Sequence, residues 1–340
     1  MTSNSLTGSR KNRDVVLNKK ALLVIIWCIV AYFFYEFFQS VDFNRVSKEI
    51  GNANGRWLVV AFFFNFLILL VWTCLWSILI PRNIFISFRK LFQINTFMAT
   101  SCNTLPFPGG HAVGLILFSR LAKIKHSVAL SVLALDQMME GIVKVGVLTL
   151  AASFSPLPVE MQQGIQTFIV LILIFSVLMF YAAYKMPQPT LNEKASSSLF
   201  LKLKIFVSQW AGHLEVLKDY RVFSLGLSLS LLIMALQVLG IWAVQKSLGQ
   251  ALPFWTTILV MAALNLATIF PLTPGNFGIY EATAFLIYKF SGISSETSLS
   301  LAFLQHICFL LPMAGTGWMV FLFQSFFSKN KKNELWVKEE

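Results

Sequence analysis

The chain has 340 residues, of which 56% are hydrophobic and only 12% charged, with a formal net charge of +12 at pH 7. This composition excludes a water-soluble globule: apolar runs recur from Ala21 to Phe327, and the length suits a single bundle of membrane spans. The positive charge requires no nucleic-acid partner, because it collects in short connections between apolar runs, where membrane topology accounts for it.

The N-terminal tail, residues 1–19, is basic (Arg10, Lys11, Arg13, Lys19) and leads, through Lys20, into an apolar run from Ala21 to Phe38. That run is longer than the apolar part of a secretion signal, and Tyr32-Phe33-Phe34-Tyr35-Glu36-Phe37-Phe38 offers no small-residue cleavage site. It is expected to stay as the first span, near 20–38. Further spans are expected near 57–80, 127–153, 164–184, 222–245 and 296–327. Basic clusters at Arg82, Arg89 and Lys90, at Arg120, Lys123 and Lys125, between Lys185 and Arg221, and after Ser328 assign those connections and both termini to the cytoplasm of a cell-membrane protein.

The segment from Leu91 to Ser119 then has both ends in the cytoplasm and carries a break, Leu105-Pro106-Phe107-Pro108-Gly109-Gly110, at its middle. At about 1.5 Å per residue it is long enough for one crossing, whereas two crossings need roughly forty residues. It reads as a re-entrant hairpin. A second break, Pro271-Leu272-Thr273-Pro274-Gly275-Asn276-Phe277-Gly278, lies in the stretch from Pro253 to Lys289, which must begin and end outside and so reads as a second hairpin entering from the opposite face. Broken helices survive at membrane depth only where protein or a water-filled cavity receives the freed backbone groups, and a matched pair of them points to a transporter's binding site.

The helices that follow the two breaks resemble each other, Ala129 to Gln137 against Ser298 to His306, and both halves have the order span, broken hairpin, polar-bearing span. The expected fold is therefore all-α: a polytopic bundle forming one transmembrane domain over residues 20–328, with an inverted repeat (about 57–153 and 222–327) and two opposed re-entrant hairpins. A cytoplasmic tail follows at 329–340. The connection 187–220 reads either as an amphipathic helix on the membrane surface or as an ordinary basic loop. Cys28, Cys74, Cys102 and Cys308 all fall in apolar segments without metal-ligand spacing and read as small core residues.

Ionisable residues inside spans cost about 2.5–3.5 kcal/mol each at the bilayer centre and should face the interior. Asp136, Glu140 and Lys144 recur every four residues, on one helical face. They read either as a charge-compensated stripe or as a polar lining that binds an amine headgroup or carries a proton. Gln137 adjoins them. In the second half Glu281 follows Pro274, Gly275, Asn276 and Gly278 closely and is read as interfacial or as part of the site, and His306 as packing or as a ligand. His111 stands directly after Pro108, Gly109 and Gly110, where a short helix begins. The second arm of each hairpin is expected to point its N-terminus at the midplane, where partial positive charge and free N–H groups suit a phosphate. No Gly-x-Ser-x-Gly, His-Glu-x-x-His or phosphate-binding loop occurs, so neither enzyme chemistry, a metal nor a cofactor is expected.

From about Leu22 to Phe327 the chain resembles the lysylphosphatidylglycerol synthase transmembrane (flippase-like) family. The resemblance is carried by Pro108-Gly109-Gly110, by Pro274-Gly275-Asn276-Phe277-Gly278-Ile279-Tyr280-Glu281, and by Gln305-His306 with Leu311-Pro312. It implies movement of an anionic phospholipid, a glycolipid or an isoprenoid-linked lipid between leaflets, with the membrane lipid as substrate and a lipid-modifying enzyme as a possible partner. A solute transporter, or a non-catalytic partner of such an enzyme, is the alternative. The family pattern also places arginines where Tyr280 and His306 stand here.

Overall fold

The computed structural model describes residues 41–106, 108–154, 159–185, 199–269 and 273–323, with side chains not described at 154, 159–161 and 199–205. The expected first span near 20–38, both tails, Cys28, Phe107, Pro271 and residues 186–198 of the connection after Lys185 lie outside these residues. Within them every regular element is helical: α1 (Phe43–Gly51), α2 (Gly55–Leu79), α3 (Phe88–Thr104), α4 (Gly109–Ala122), α5 (His126–Phe154), α6 (Val159–Lys185), α7 (Leu199–Gly212), α8 (Tyr220–Ser247), α9 (Phe254–Ala267), α10 (Ile279–Phe290) and α11 (Ser295–Leu310). Short 3₁₀ turns stand at His213–Lys218 and Pro274–Asn276, and α11 continues through a π segment, Leu311–Gly315, to Phe323.

Among the described residues, four stretches are long and apolar enough to cross a membrane, Gly55–Leu79, Gln162–Lys185, Tyr220–Ser247 and Ser295–Phe323. Helix α5 is as long, at 29 residues, but carries Asp136, Glu140 and Lys144. Between the long helices stand two shorter pairs, α3 with α4 and α9 with α10, each joined across one of the two breaks. The order long helix, short pair, long helix thus occurs over 55–154 and again over 220–323.

Local chemistry explains the boundaries. Asn54 opens α2 by accepting the Arg56 N–H, Asp219 opens α8 by accepting that of Arg221, and Ser294 opens α11 by accepting that of Thr297. At the first break Pro106 and Pro108 disfavour helical geometry in the residues before them, and α3 ends at Thr104. The partner helix then packs back antiparallel at close range. A Cβ on Gly110 would lie 2.5 Å from the Ser101 carbonyl oxygen, and one on Gly114 would overlap the Met98 sulfur, so glycine at both positions admits the contact.

The first helices of the two halves also pack antiparallel. Trp57 meets Trp242 edge to face at 5.3 Å, and Gly240 makes room for the Asn65 amide, whose Nδ2 would be 2.8 Å from a Cβ there. Trp76, wholly buried, stacks on Phe118 at 4.7 Å and ties α2 to α4. Around Pro312, which has no N–H to donate, α11 widens into its π segment. Thr100 of α3 donates its hydroxyl to the Ala314 carbonyl there, 2.9 Å away, so the first half holds the loosened turn of the second.

Candidate functional site

In the first half the site grows from one face of α5. Asp136 is 2% exposed, and the Trp72 indole N–H reaches both its oxygens, at 3.1 and 3.0 Å. One turn on, Glu140 Oε1 is 2.8 Å from Lys144 Nζ. These side chains keep 29% and 21% exposure, in contact with open space within the bundle. Gln137 lies on the exposed side of the helix, and its amide approaches Glu140 Oε2 at 3.4 Å.

The second half is built around its break. Gly275, Asn276 and Gly278 take φ of 61°, 58° and 86°, left-handed values that turn the chain sharply between α9 and α10. Glu281, at the third position of α10, accepts the Gly278 backbone N–H at 2.7 Å, which is the carboxylate half of a capping box. Its other oxygen lies 2.7 Å from His306 Nδ1, and His306 Nε2 lies 2.8 Å from the Gly275 carbonyl. A carbonyl only accepts, so Nε2 carries a hydrogen, and the Nδ1 contact places a single proton between ring and carboxylate. Tyr280 stacks flat on the imidazole at 4.2 Å and accepts a hydrogen bond from Gln305 Nε2 at 2.8 Å. Tyr288 donates to Gln305 Oε1 at 2.8 Å and accepts from Gln245 Nε2 at 3.2 Å; Thr257 donates to the oxygen of that same amide. Tyr280 and His306 are thus members of one connected network.

Two cavities lie between the halves. The larger, about 180 Å³, is lined by Asn65, Glu140, Lys144, Gln237, Asn265, Asn276, Tyr280 and Gln305 among others. The second, about 150 Å³, is lined by Trp72, Asn103, Asp136, Glu140, Gln237 and Phe309 with apolar neighbours. Glu140, Gln237 and Phe309 belong to both walls, so the two spaces lie side by side there. The second break also touches the end of α3: a Cβ on Gly275 would lie 3.1 Å from the Asn103 carbonyl oxygen.

Of the residues singled out from the sequence, Asp136, Glu140, Lys144 and Asn276 line these cavities. Gly275, Gly278, Glu281 and His306 form the scaffold immediately behind Asn276, and Pro274 begins its turn. Glu281 is buried. Pro108 and His111 are exposed, Gly109 half-buried and Gly110 buried against α3; none of the four lines either cavity. Trp72, Asn65, Gln237, Asn265 and Gln305 belong to the site without having been selected. A lone amide inside an apolar helix is the signal that finds four of them, because such a group seeks a buried partner or a wet space. Among the described residues no three His, Cys, Asp or Glu side chains come together to hold a metal ion.

Residues 20–317 match the family model described as the lysylphosphatidylglycerol synthase TM region. No curated protein matches the sequence.

Proposed function

The chain belongs to the lysylphosphatidylglycerol synthase TM-region family and is an integral membrane protein, and on that footing we propose that it moves a phosphate-bearing lipid between the two leaflets. The headgroup travels through the polar cleft between the halves while the acyl chains remain in lipid. One observation carries this reading: two cavities, lined by charged and amide groups in an otherwise apolar bundle, lie side by side with Glu140 and Gln237 in both walls. A charged group at membrane depth that faces an internal cavity marks a substrate path.

The recurring element order and the antiparallel packing of α2 on α8 support an inverted repeat, with α3–α4 and α9–α10 as hairpins entering from opposite faces. Both termini then lie in the cytoplasm and the protein resides in the cell membrane. Rocking of one half against the other about the cleft exposes Lys144 and Glu140 to each leaflet in turn. The chain acts as a carrier rather than an enzyme, working alone or beside an enzyme that modifies the lipid.

The test is a proteoliposome assay with phosphatidylglycerol and phosphatidylethanolamine labelled on the acyl chain with a dithionite-quenchable fluorophore. The protein should render the inner-leaflet pool quenchable, and Glu140→Gln should slow that exchange about tenfold, the scale of one charged hydrogen bond. Exchange of every labelled lipid at the protein-free rate would overturn the reading.

A further inference from the structure

The last span, Ser295–Phe323, is continuous along the chain but is gripped at its two ends by different bodies. Its first part, Ser295–Leu310, is tied to the second half. Gln305 bonds Tyr280 and Tyr288, His306 meets Glu281, and Leu301, Leu304 and Cys308 share one core with Val260, Ala284 and Tyr288. Its last part is tied to the first half. Thr100 of α3 donates to the Ala314 carbonyl, and Met313 packs with Ile68, Leu69 and Ala99 alongside Leu236 of α8. Further on, a Cβ at Gly317 would lie 2.7 Å from the Thr96 carbonyl oxygen and would overlap the Thr100 hydroxyl, so α11 touches the α3 backbone there.

The change of partner falls on the π segment, Leu311–Gly315. Its residues are those of a joint. Pro312 has no N–H to give to the Cys308 carbonyl four residues earlier, so the helical ladder is interrupted at that point. Thr316 donates its hydroxyl to the Pro312 carbonyl at 2.6 Å and braces the turn from its far side. Gly315 has open space where a side chain would stand, so packing does not require glycine there, and what it supplies is backbone freedom. A helix held firmly at both ends bends where its own hydrogen bonds are interrupted.

We propose that this π segment is the hinge on which the two halves turn, residues 295–310 travelling with the second half and residues 316–323 with α3 of the first. Phe309 stands on the last turn before the hinge, its ring 6.2 Å from that of Tyr280, and it lines both cavities. Bending at 311–315 shifts Phe309 relative to Ile68, Trp72 and Ala99 in the second cavity, and so changes the wall that the two spaces share. The moving joint is thereby coupled to the cleft without itself lining the larger cavity.

This rests on the translocation reading above for its purpose, but its test needs no lipid movement. In a cysteine-free background, spin labels at Phe303→Cys and Met319→Cys, both exposed, flank the hinge at 16 residues' separation, about 24 Å along a straight helix. Labels at Val59→Cys and Ser77→Cys, also exposed, span the unbroken α2 as a control. In nanodiscs, double electron–electron resonance should give a distance distribution about twice as wide across the hinge as along α2. Pro312→Ala restores the missing N–H and should narrow the hinge distribution to the control width and slow lipid exchange in proteoliposomes about tenfold. Gly315→Ala, for which there is room, stiffens the same turn and should narrow the distribution as well. A hinge distribution no wider than the control in the otherwise unmodified protein, or one left equally wide by both variants, would overturn the hinge while leaving translocation standing. The expected widths without any lipid exchange would overturn translocation and leave the hinge standing.

Discussion

The two helix breaks look alike as strings of proline and glycine, yet they are held by different forces. The second is locked by side chains: Glu281 takes the Gly278 N–H, and His306 bridges that carboxylate to the Gly275 carbonyl. The first has no side-chain cap at the start of α4, and its contact with α3 is steric, a close approach across Gly110. A break that borders an internal cavity needs its backbone fixed from within. One that only reverses the chain needs room for two helices to touch.

The largest effect expected from this difference is at His306. His306→Ala strips Glu281 of its partner and should cost about 3–5 kcal/mol, read as a large fall in thermal midpoint in detergent, whereas His111→Ala, on an exposed turn at the first break, should cost less than about 1 kcal/mol. Equal losses at the two histidines would abolish the distinction. Next comes Gly110→Ala, which drives a methyl into the α3 backbone and should destabilise by about 1–3 kcal/mol, while its neighbour Gly109→Ala, with 4.0 Å to the Leu105 Cβ, should be near neutral. Gly275→Ala should fall between them, about 1–2 kcal/mol, because alanine must adopt a left-handed φ there. The smallest effect is at the contact between the halves: Thr100→Val removes the hydrogen bond to the π segment and should lower stability by about 1 kcal/mol.

The paired glycines show how far the sequence can be read. Proline and glycine inside apolar runs reveal both breaks and the helices around them, because few other residues interrupt a membrane helix. The spacing of Asp136, Glu140 and Lys144 reveals a charged face, because periodicity is local. Which glycine matters is not local: Gly109 and Gly110 are chemically identical, and only the position of Ser101 across the hairpin separates them. Trp72 reads as packing until α2 and α5 are side by side and its N–H meets Asp136. The bond between Glu281 and His306 joins residues on different helices, and neither spacing nor composition encodes it. The amides of Asn65, Gln237 and Asn265 are visible as polar residues in apolar segments, but that they converge on one space depends on the antiparallel packing of the two halves.

A path for lipid through the cleft must pass the wall that the two cavities share at Glu140 and Gln237. Gln237→Trp places bulk in the wall that the two cavities share, and Leu232→Trp places the same bulk on an exposed face of the same helix. Measured by dithionite quenching of acyl-labelled phosphatidylethanolamine in proteoliposomes, the first variant should exchange lipid no faster than protein-free vesicles, and the second at close to the unmodified rate. Undiminished exchange in Gln237→Trp would contradict a path through the cleft.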